Sequence, residues 1–439
     1  MNPPSLNAFA QDDFLAMDKV LEIGILTEEE QISILQNSLR GDSTDISGWL
    51  MLGMLYENAG QIDKAVEAYH RAHSMDGQCE RCLQLYANAL SLQGRVSLAM
   101  ELFQDAVELY PNNASIRSQY ARLLKRESLF PRAFIQYSHL IERDSSNFYL
   151  WEQLGDCALR MGMNEIGISA YVSSLNLNAA NVPLALKLIN TLVKSDFSPT
   201  EIMPYADAAL TCDSTYIPLL KAKGLLFYLA QDYKNAIPWF ADAVAKGDTS
   251  LFTLKYMGIS HYHVRNFFKA DELLTKAYTL DTLDKNLNYF YARALIEMGD
   301  GRKAVKLMES TIDLITPLPI ELAAYHGIIG DAFQKVQMYR EAVAAYRKAI
   351  ELDPAYLSYL YEQGLCHYYS KEYELAKEIF TRFIGMAEED PIKKYKSSVS
   401  SAKYWIKRID GELFFEGSPT VRNDTIFLPS GGFIIKSNY

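Results

Sequence analysis

The 34 residues from Ile46 to Cys79 read ISGWLMLGMLYENAGQIDKAVEAYHRAHSMDGQC, and their order of small and large side chains decides the fold. Small residues at the eighth and twentieth positions, Gly53 and Ala65, let two helices cross closely because no large side chain lies between them. Tyr69, at the twenty-fourth position, is large enough to fill the space beside that crossing. The stretch therefore predicts a pair of tightly packed antiparallel helices.

The same arrangement of small and large residues recurs at a stride of about 34 residues over roughly ten units of the chain. The eighth position of the unit is small in nine of them, namely Gly53, Ala87, Ala121, Gly155, Gly224, Gly258, Ala292, Gly330 and Gly364. The twentieth position is also small in nine of them, namely Ala65, Ala99, Ala133, Gly167, Ala236, Ala270, Ala304, Ala342 and Ala376. Any amphipathic helix has a period of about 3.6 residues, whereas two registers of small residues held over so many units indicate a repeat array.

The signature residues of the first stretch resemble those of the tetratricopeptide-repeat (TPR) family. Trp49 takes the fourth position, Leu52 and Gly53 the seventh and eighth, and Tyr56 the eleventh, at the spacing of that repeat. The resemblance implies an all-α fold, a right-handed superhelical solenoid of antiparallel helix pairs, whose role is to bind other proteins. It extends over units that begin near residues 46, 80, 114, 148, 182, 217, 251, 285, 323 and 357.

The rest of the chain is organised around this array, which spans residues 46–390. Residues 1–12 are predicted to be a disordered leader or a signal-peptide remnant, and residues 13–45 an N-terminal capping helix pair. Residues 391–412 are predicted to be a C-terminal capping helix, and residues 413–439 an extended apolar tail with a candidate hairpin. The unit at 182–216 departs from the pattern: the capping-box sequence from Ser198 to Glu201 predicts a second helix that starts late, and a merely degenerate repeat is the alternative.

Composition and charge limit the possible classes of function. With 49% hydrophobic and 22% charged residues, the chain can bury a core, which excludes wholesale disorder. Its formal net charge of −11 repels nucleic acid, so nucleic acid is not an expected partner. No run of about 18 apolar residues is present that would form a transmembrane segment. Ala8-Phe9-Ala10 resembles the end of an export signal, so a cytoplasmic and an exported, periplasmic location both stay open.

The sequence carries no signature of catalysis, because it has no Gly-x-Ser-x-Gly elbow, His-Glu-x-x-His helix or dinucleotide fingerprint. We therefore expect a protein that is not an enzyme and needs no cofactor. The most noticeable cluster of candidate ligands is His70, His73, Cys79 and Cys82. Three interpretations stay open for it: a tetrahedral zinc site, a disulfide between Cys79 and Cys82, or inert residues. A metal- or thiol-dependent factor built on this cluster is the alternative function.

The resemblance also implies where a partner binds. In the family, first-helix residues at positions two, five, nine, twelve and thirteen of a unit line a concave groove that holds a peptide or helix of the partner. Carried onto this chain, the rule names a basic and polar set (Arg81, Gln84, Asn88, Ser118, Arg122, Lys125 and Arg126) and a set rich in tyrosine (Tyr228, Lys255, Tyr262, Tyr289, Arg293 and Tyr361). Guanidinium groups and amides suit carboxylates or an extended backbone, and Tyr and Arg are common interface anchors. The alternative is that some of the aromatic rings only pack between adjacent first helices.

We therefore expect a protein-protein interaction scaffold whose ligand is a protein or peptide, with a subunit of a cell-envelope complex as one candidate partner. The co-chaperone members of the family clamp a terminal carboxylate with a set of residues that starts from Lys and Asn in the first unit. Leu50 and Met54 stand at the corresponding positions here. This departure argues against recognition of a chaperone tail.

Overall fold

The structure is a computed structural model that describes residues 27–314, 318–389, 394–416, 425–427 and 433–435. These residues divide into two compact units, an N-terminal unit that ends at Phe197 and a C-terminal unit that begins at Ser198. The leader predicted at residues 1–12, and the first helix of the predicted N-terminal capping pair, lie outside the described residues.

Ten helices make up the described part of the N-terminal unit. They are α1 (Glu28–Gly41), α2 (Ile46–Asn58), α3 (Ile62–Met75), α4 (Glu80–Leu92), α5 (Val96–Leu109), α6 (Ala114–Arg126), α7 (Phe130–Arg143), α8 (Phe148–Arg160), α9 (Asn164–Leu177) and α10 (Val182–Lys194). Helix α1 begins with a capping box, in which the Thr27 side chain binds the Glu30 backbone and the Glu30 carboxylate binds the Thr27 backbone.

The C-terminal unit continues the alternation of helices and adds a pair of short strands among its described residues. The helices are α11 (Pro199–Cys212), α12 (Ile217–Leu229), α13 (Tyr233–Ala245), α14 (Leu251–His263), α15 (Phe267–Leu280), α16 (Lys285–Glu297), α17 (Gly301–Leu314), α18 (Pro319–Lys335), α19 (Tyr339–Leu352), α20 (Ser358–Tyr369), α21 (Tyr373–Glu388) and α22 (Lys396–Glu416). The strands are β1 (Thr425–Phe427) and β2 (Phe433–Ile435). Even-numbered helices from α2 to α20 are the first helices of the repeats, and odd-numbered helices from α3 to α21 are the second helices. The predicted all-α array of antiparallel helix pairs is confirmed.

The eighth position of a repeat must be small because the twenty-fourth residue of the same repeat packs directly on it. A Cβ added to Gly155 on α8 would lie 2.5 Å from Cδ1 of Tyr171 on α9, closer than carbon atoms approach. At Gly364 on α20, an added Cβ would lie 2.7 Å from Cε1 of Phe380 on α21. The alanines of the twentieth position are fully buried: Ala65, Ala99, Ala133, Ala236, Ala270, Ala304, Ala342 and Ala376. Both registers of small residues therefore mark the crossing of a helix pair.

The turn between the two helices of a repeat places one residue in the left-handed region of backbone conformation. In four repeats this residue is a glycine with φ between 72° and 88°, namely Gly60, Gly94, Gly162 and Gly299. In six others it is Ser128, Asp196, Gln231, Arg265, Gln337 or Lys371, with φ between 58° and 63°. A residue with a side chain adopts this conformation at a cost of about 1–2 kcal/mol. The packing of the pair therefore fixes the turn, whichever residue occupies it.

Three repeats depart from the regular spacing of helix starts, and in the tenth the interval from Ser358 to Tyr373 is one residue shorter than in the first. The interval from Val182 to Pro199, which separates the starts of α10 and α11, is one residue longer than the interval from Ile46 to Ile62. At the start of α11 the Glu201 carboxylate accepts hydrogen bonds from the Ser198 backbone nitrogen at 2.9 Å and from the Ser198 hydroxyl at 2.7 Å. In the ninth repeat, α18 begins at Pro319 rather than at the predicted residue 323.

The end of the described chain consists of α22 and the two strands. Ala402 and Ile409 of α22 are fully buried in a core shared with Phe380 and Phe383 of α21. The helix runs from residue 396 to 416, and residues 390–393 before it lie outside the described residues. β1 and β2 pair in antiparallel register, with Ile426 opposite Ile434. Among the described residues, no helix combines the length and apolar character that crossing a membrane requires.

Candidate partner-binding surface

The first helices of neighbouring repeats contact one another. In the N-terminal unit α2 contacts α4 and α4 contacts α6, and in the C-terminal unit α12, α14, α16 and α18 contact in succession. Their exposed positions therefore lie side by side, and we call this face of each unit its first-helix surface. Each of the residues predicted for partner binding is partly or largely exposed, and none belongs to the buried core.

Lys125, the lysine of the basic set, is already paired with a carboxylate. Lys125 Nζ lies 2.6 Å from Asp156 Oδ2 and 2.6 Å from Gln153 Oε1, both on the first helix of the next repeat. Asp156 also accepts a hydrogen bond from the Tyr171 hydroxyl at 2.5 Å and lies 3.4 Å from Lys187 Nζ. Although burial opposes ionisation, the hydrogen bonds from Lys125 and Tyr171 hold the pKa of Asp156 below its ordinary value. Lys125 is therefore occupied by a carboxylate of its own chain.

The amides of the basic set also bind neighbouring repeats. Gln84 Nε2 donates to Ser115 Oγ at 3.0 Å, and Asn88 Nδ2 donates to Gln119 Oε1 at 2.7 Å. These bonds tie the first helix of the second repeat to that of the third. The amides therefore help to fix the spacing of neighbouring first helices on this surface.

The remaining members of the basic set are more open. Arg126 donates to Ser91 Oγ at 2.7 Å, Arg81 approaches the Met54 sulfur at 3.8 Å, and Ser118 is half-buried. Arg122 is exposed and makes no hydrogen bond or ion pair with any residue that the structure describes. Arg122 is thus the cation of this set with the most freedom to contact a partner.

Several tyrosines of the second set pack against other rings of the C-terminal unit. Tyr228 lies edge-on to Tyr256 with ring centroids 4.8 Å apart, and burial raises the pKa of Tyr228 to about 12. Tyr361 packs against Phe380 and Phe383, with centroid distances of 5.7 and 5.4 Å. These contacts agree with the alternative that part of the aromatic set packs between helices.

Tyr289 and Lys255 of this set are likewise engaged. The Tyr289 ring lies edge-on to Phe290 at 5.2 Å. Lys255 Nζ pairs with the Asp284 carboxylate at 2.7 Å. Two members, Tyr262 and Arg293, instead face a cavity.

This cavity lies in the C-terminal unit, among residues of α14, α16, α18 and α20, and has a volume of about 490 Å³. Arg293 Nε donates to the Tyr262 hydroxyl at 2.8 Å, which orients the guanidinium group. Arg293 Nη1 lies 4.0 Å from Asp331 Oδ2, at the outer limit of an ion pair. The cavity therefore combines an aromatic ring, a cation and a carboxylate on the first-helix surface.

Two carboxylates of the cavity are held by hydrogen bonds. Asp331 Oδ1 accepts from the Tyr346 hydroxyl at 2.7 Å, and Glu362 Oε2 accepts from Gln334 Nε2 at 3.1 Å. Burial raises the pKa of Asp331, with Glu297 adding to the effect. Burial and the nearby Asp331 raise the pKa of Glu362. The protein thus holds two carboxylates where their ionised forms are disfavoured.

Sequence reasoning missed the polar residues of this cavity. They are Glu297, Asp331, Gln334, Lys335, Gln337 and Glu362. Four of them occupy positions nine, twelve or thirteen of their repeats, which the family rule assigns to the groove. These positions carried the signal, but the predicted sets contain basic, amide, hydroxyl and aromatic side chains and no carboxylate.

The cluster of histidines and cysteines is not a metal site. Cys79 and Cys82 form a disulfide, with Cα atoms 5.2 Å apart, so neither sulfur is a free thiolate ligand. The rings of His70 and His73 pack against Tyr86 at centroid distances of 5.5 and 5.7 Å. Among the described residues, no group of three or more His, Cys, Asp or Glu side chains could hold a metal ion. Of the three interpretations, the structure favours the disulfide, and the alternative function finds no support.

Comparison with known proteins places the repeat pattern in a family. Tetratricopeptide-repeat family models match residues 46–79, 80–123 and 329–391. The chain is similar to anaphase-promoting complex subunit 3 of Schizosaccharomyces pombe, with 25% identity over 175 residues. That alignment covers 39% of this chain and 26% of the relative, so the chain matches about a quarter of that protein's length.

Solved structures of TPR proteins are also similar to this chain. One is the C-terminal part of a TPR repeat-containing protein from Cytophaga hutchinsonii, with 18% identity, a TM-score of 0.44, and coverage of 56% of this chain and 98% of that one. Another is a tetratricopeptide repeat protein from Parabacteroides merdae, with 14% identity, a TM-score of 0.41, and coverage of 58% and 98%. Because family models match stretches of the array in both units and the same close helix crossing recurs in both, the chain is a tetratricopeptide-repeat protein.

Proposed function

We propose that this chain is a protein-protein interaction scaffold that holds a peptide or helix of its partner against the first-helix surface. The observation that carries the proposal is the succession of contacts between first helices, which aligns their exposed side chains. A row of polar and aromatic groups on rigid helices suits a linear segment, which contacts several helices in turn. The cavity next to Arg293 is lined by the same helices and adds a pocket for one anchoring side chain.

A protein is a more suitable partner than nucleic acid. The net charge of −11 disfavours the approach of a phosphate backbone. The Schizosaccharomyces pombe relative is, by its name, a subunit of a multiprotein complex, which is in keeping with a scaffold. A subunit of a cell-envelope complex is one candidate, and co-purification from the native cell followed by mass spectrometry would identify it. Binding rather than catalysis is the activity we propose.

The test is selection of random dodecapeptides displayed on phage against the immobilised full-length chain. A selected peptide that carries benzoylphenylalanine is then irradiated in the complex, and the crosslinked residues are identified by mass spectrometry. We expect crosslinks on the even-numbered helices. Crosslinks confined to the odd-numbered helices, or a library from which the chain selects no peptide, would contradict the proposal.

A charge reversal with a matched control sharpens this test. Arg122 on α6 and Arg347 on α19 are both exposed, and neither forms an ion pair within the described part of the chain. Arg122 lies on a first helix and Arg347 on a second helix. For a peptide that crosslinks to α4, α6 or α8, we expect Arg122→Glu to change the affinity by about tenfold and Arg347→Glu to leave it unchanged. Equal affinities of the two variants would show that the peptide does not recognise this surface.

A further inference from the structure

The cavity of the C-terminal unit is a half-open recess lined by charged and aromatic side chains. Its volume of about 490 Å³ falls within the roughly 300–1,000 Å³ of pockets that hold small ligands. Its walls come from four first helices, from Gln337 in the turn after α18, and from Tyr339 at the start of α19. One extended side chain of a partner therefore fits into it.

The charged groups of its wall do not balance. Glu297, Asp331 and Glu362 supply three carboxylates, whereas Arg293 and Lys335 supply two cations. The Lys335 ammonium lies 4.0 Å from Glu297, and the Arg293 guanidinium lies 4.0 Å from Asp331. Glu362 forms no ion pair with any residue that the structure describes. The wall therefore has room for one more positive charge, next to Glu362.

The carboxylates are held in place before any ligand arrives. The Tyr346 hydroxyl lies 2.7 Å from Asp331 Oδ1 and 3.1 Å from Gln334 Oε1. The amide of Gln334 in turn donates to Glu362 at 3.1 Å. Because the Tyr346 hydroxyl has a single proton, its shorter contact holds Asp331, and Glu362 is held separately by the amide of Gln334. A cation that enters the cavity meets oriented acceptors, which lowers the ordering cost of binding.

The rings of the wall favour a planar cation. The Arg293 guanidinium already lies 5.9 Å from the centroid of the Tyr262 ring, so the ring can face a cation. Tyr339 is fixed by stacking on Tyr369, with centroids 5.5 Å apart. A guanidinium group can stack on such a ring and present parallel N–H groups to a carboxylate, whereas an ammonium group is a compact point charge. Arginine therefore matches this wall better than lysine.

We propose that this cavity receives an arginine side chain of the bound partner segment, with Glu362 and Asp331 as the carboxylates that bind its guanidinium group. The inference rests on the proposed function, because the arginine belongs to a segment that lies on the first-helix surface. The inference specifies one feature of the partner, namely that its bound segment carries an arginine at one fixed position. Glu362 provides the specificity, since it is the carboxylate without a cation of its own.

The experiment repeats the selection of random dodecapeptides on three full-length proteins. They are the wild type, Glu362→Gln, and Glu378→Gln, which removes an exposed carboxylate of α21 outside the cavity. We expect the wild type and Glu378→Gln to select peptides with arginine at one recurring position, and Glu362→Gln to lose that enrichment. Far-ultraviolet circular dichroism checks that each variant is folded, and Asp331→Asn serves as the second variant if Glu362→Gln loses helicity.

Titration of one selected peptide and its analogues supplies the quantitative result. Replacing its arginine by glutamine should weaken binding to the wild type by about tenfold or more, but should leave binding to Glu362→Gln nearly unchanged. If Glu362→Gln still distinguishes arginine from glutamine, or if the wild type prefers lysine to arginine, the assignment of the cavity is overturned while the proposed function stands. If the wild type selects no peptide, the proposed function itself fails.

Discussion

A pair of glycines in the last repeat provides a direct test of the close helix crossing. Gly364 lies in α20 beneath the ring of Phe380, whereas Gly385 lies on the exposed face of α21, where an added Cβ meets nothing within 4 Å. Replacing either glycine by alanine gives the same gain in helix propensity, about 1 kcal/mol. The difference between Gly364→Ala and Gly385→Ala therefore isolates the steric cost at the crossing.

The size of that cost follows from the local packing. A Cβ on Gly364 would lie 2.7, 2.9 and 3.1 Å from three ring carbons of Phe380, whereas ordinary contact begins near 3.4 Å. The Phe380 ring is fully buried and lies 5.7 Å from the Tyr361 ring, so it has little room to move. Overpacking of a well-packed core costs about 1–3 kcal/mol. We expect Gly385→Ala to be more stable than the wild type, and Gly364→Ala to be less stable than Gly385→Ala by about 1–3 kcal/mol.

The assay must report on the last repeat, because repeat arrays can open locally. Urea titration followed by circular dichroism gives the global free energy of unfolding, and hydrogen exchange measured by mass spectrometry gives the protection of α20 and α21. Adding Phe380→Leu to Gly364→Ala should recover part of the loss, since the smaller side chain relieves the contact. If Gly364→Ala is as stable as Gly385→Ala, the helices do not cross closely at this position and our account of the repeat is refuted.

Three further substitutions test the polar contacts, by urea titration at neutral and acidic pH. Tyr137→Phe should raise the free energy of unfolding by up to about 1 kcal/mol, because the buried Tyr137 hydroxyl has no hydrogen-bond partner in the described part of the chain. Asp156→Asn should lower the free energy of unfolding by about 1.5–3 kcal/mol at neutral pH. Because the pKa of Asp156 is lowered in the folded protein, this loss should disappear as the pH falls through that pKa. Glu362→Gln should be more stable than the wild type at neutral pH, because the raised pKa of Glu362 means that its ionised form destabilises the fold. This gain in stability should vanish at a pH below the ordinary pKa of glutamate, where the carboxyl group is protonated in both the folded and the unfolded state. A Glu362→Gln variant that is less stable than the wild type at neutral pH would contradict this sign.

The fold was predictable because each repeat encodes its own helix pair through local spacing. Gly53 and Tyr69 are sixteen residues apart, and the structure places the ring of Tyr69 directly on Gly53. Irregular segments were harder to predict. The earlier start of α18 at Pro319 depends on the Glu321 carboxylate, which accepts from the Leu318 backbone at 2.9 Å and from Lys285 of the preceding repeat at 2.8 Å. Spacing within one repeat contains no information about a contact with its neighbour.

The candidate site was only partly predictable for the same reason. The family rule names positions of a first helix, but exposure at those positions varies between repeats, since Ile259 at a ninth position and Leu50 at a fifth position are buried. The rule also does not indicate which charges meet across repeats. Lys125 was expected to face a partner, yet it pairs with Asp156, thirty-one residues further along the chain. Arg293 was named from its position, whereas Glu362, which completes the cavity, lies at the sixth position of its repeat, outside the rule. Contacts between repeats depend on how the helices pack in three dimensions, which the spacing within a repeat does not specify.

The ninth position of the repeat shows how one motif can serve structure in one unit and recognition in the other. Asp156 and Asp331 both occupy this position, and each accepts a hydrogen bond from the tyrosine at the twenty-fourth position of its own repeat, at 2.5 and 2.7 Å. Lys125 approaches Asp156 to 2.6 Å, but Arg293 remains 4.0 Å from Asp331. The pKa of Asp156 is accordingly lowered, and that of the more weakly paired Asp331 is raised by burial. A carboxylate that lacks a close cation gains most from a new one. The aspartate at the ninth position is therefore part of an internal ion pair in the N-terminal unit, as Asp156, and is available to accept a further cation in the C-terminal unit, as Asp331.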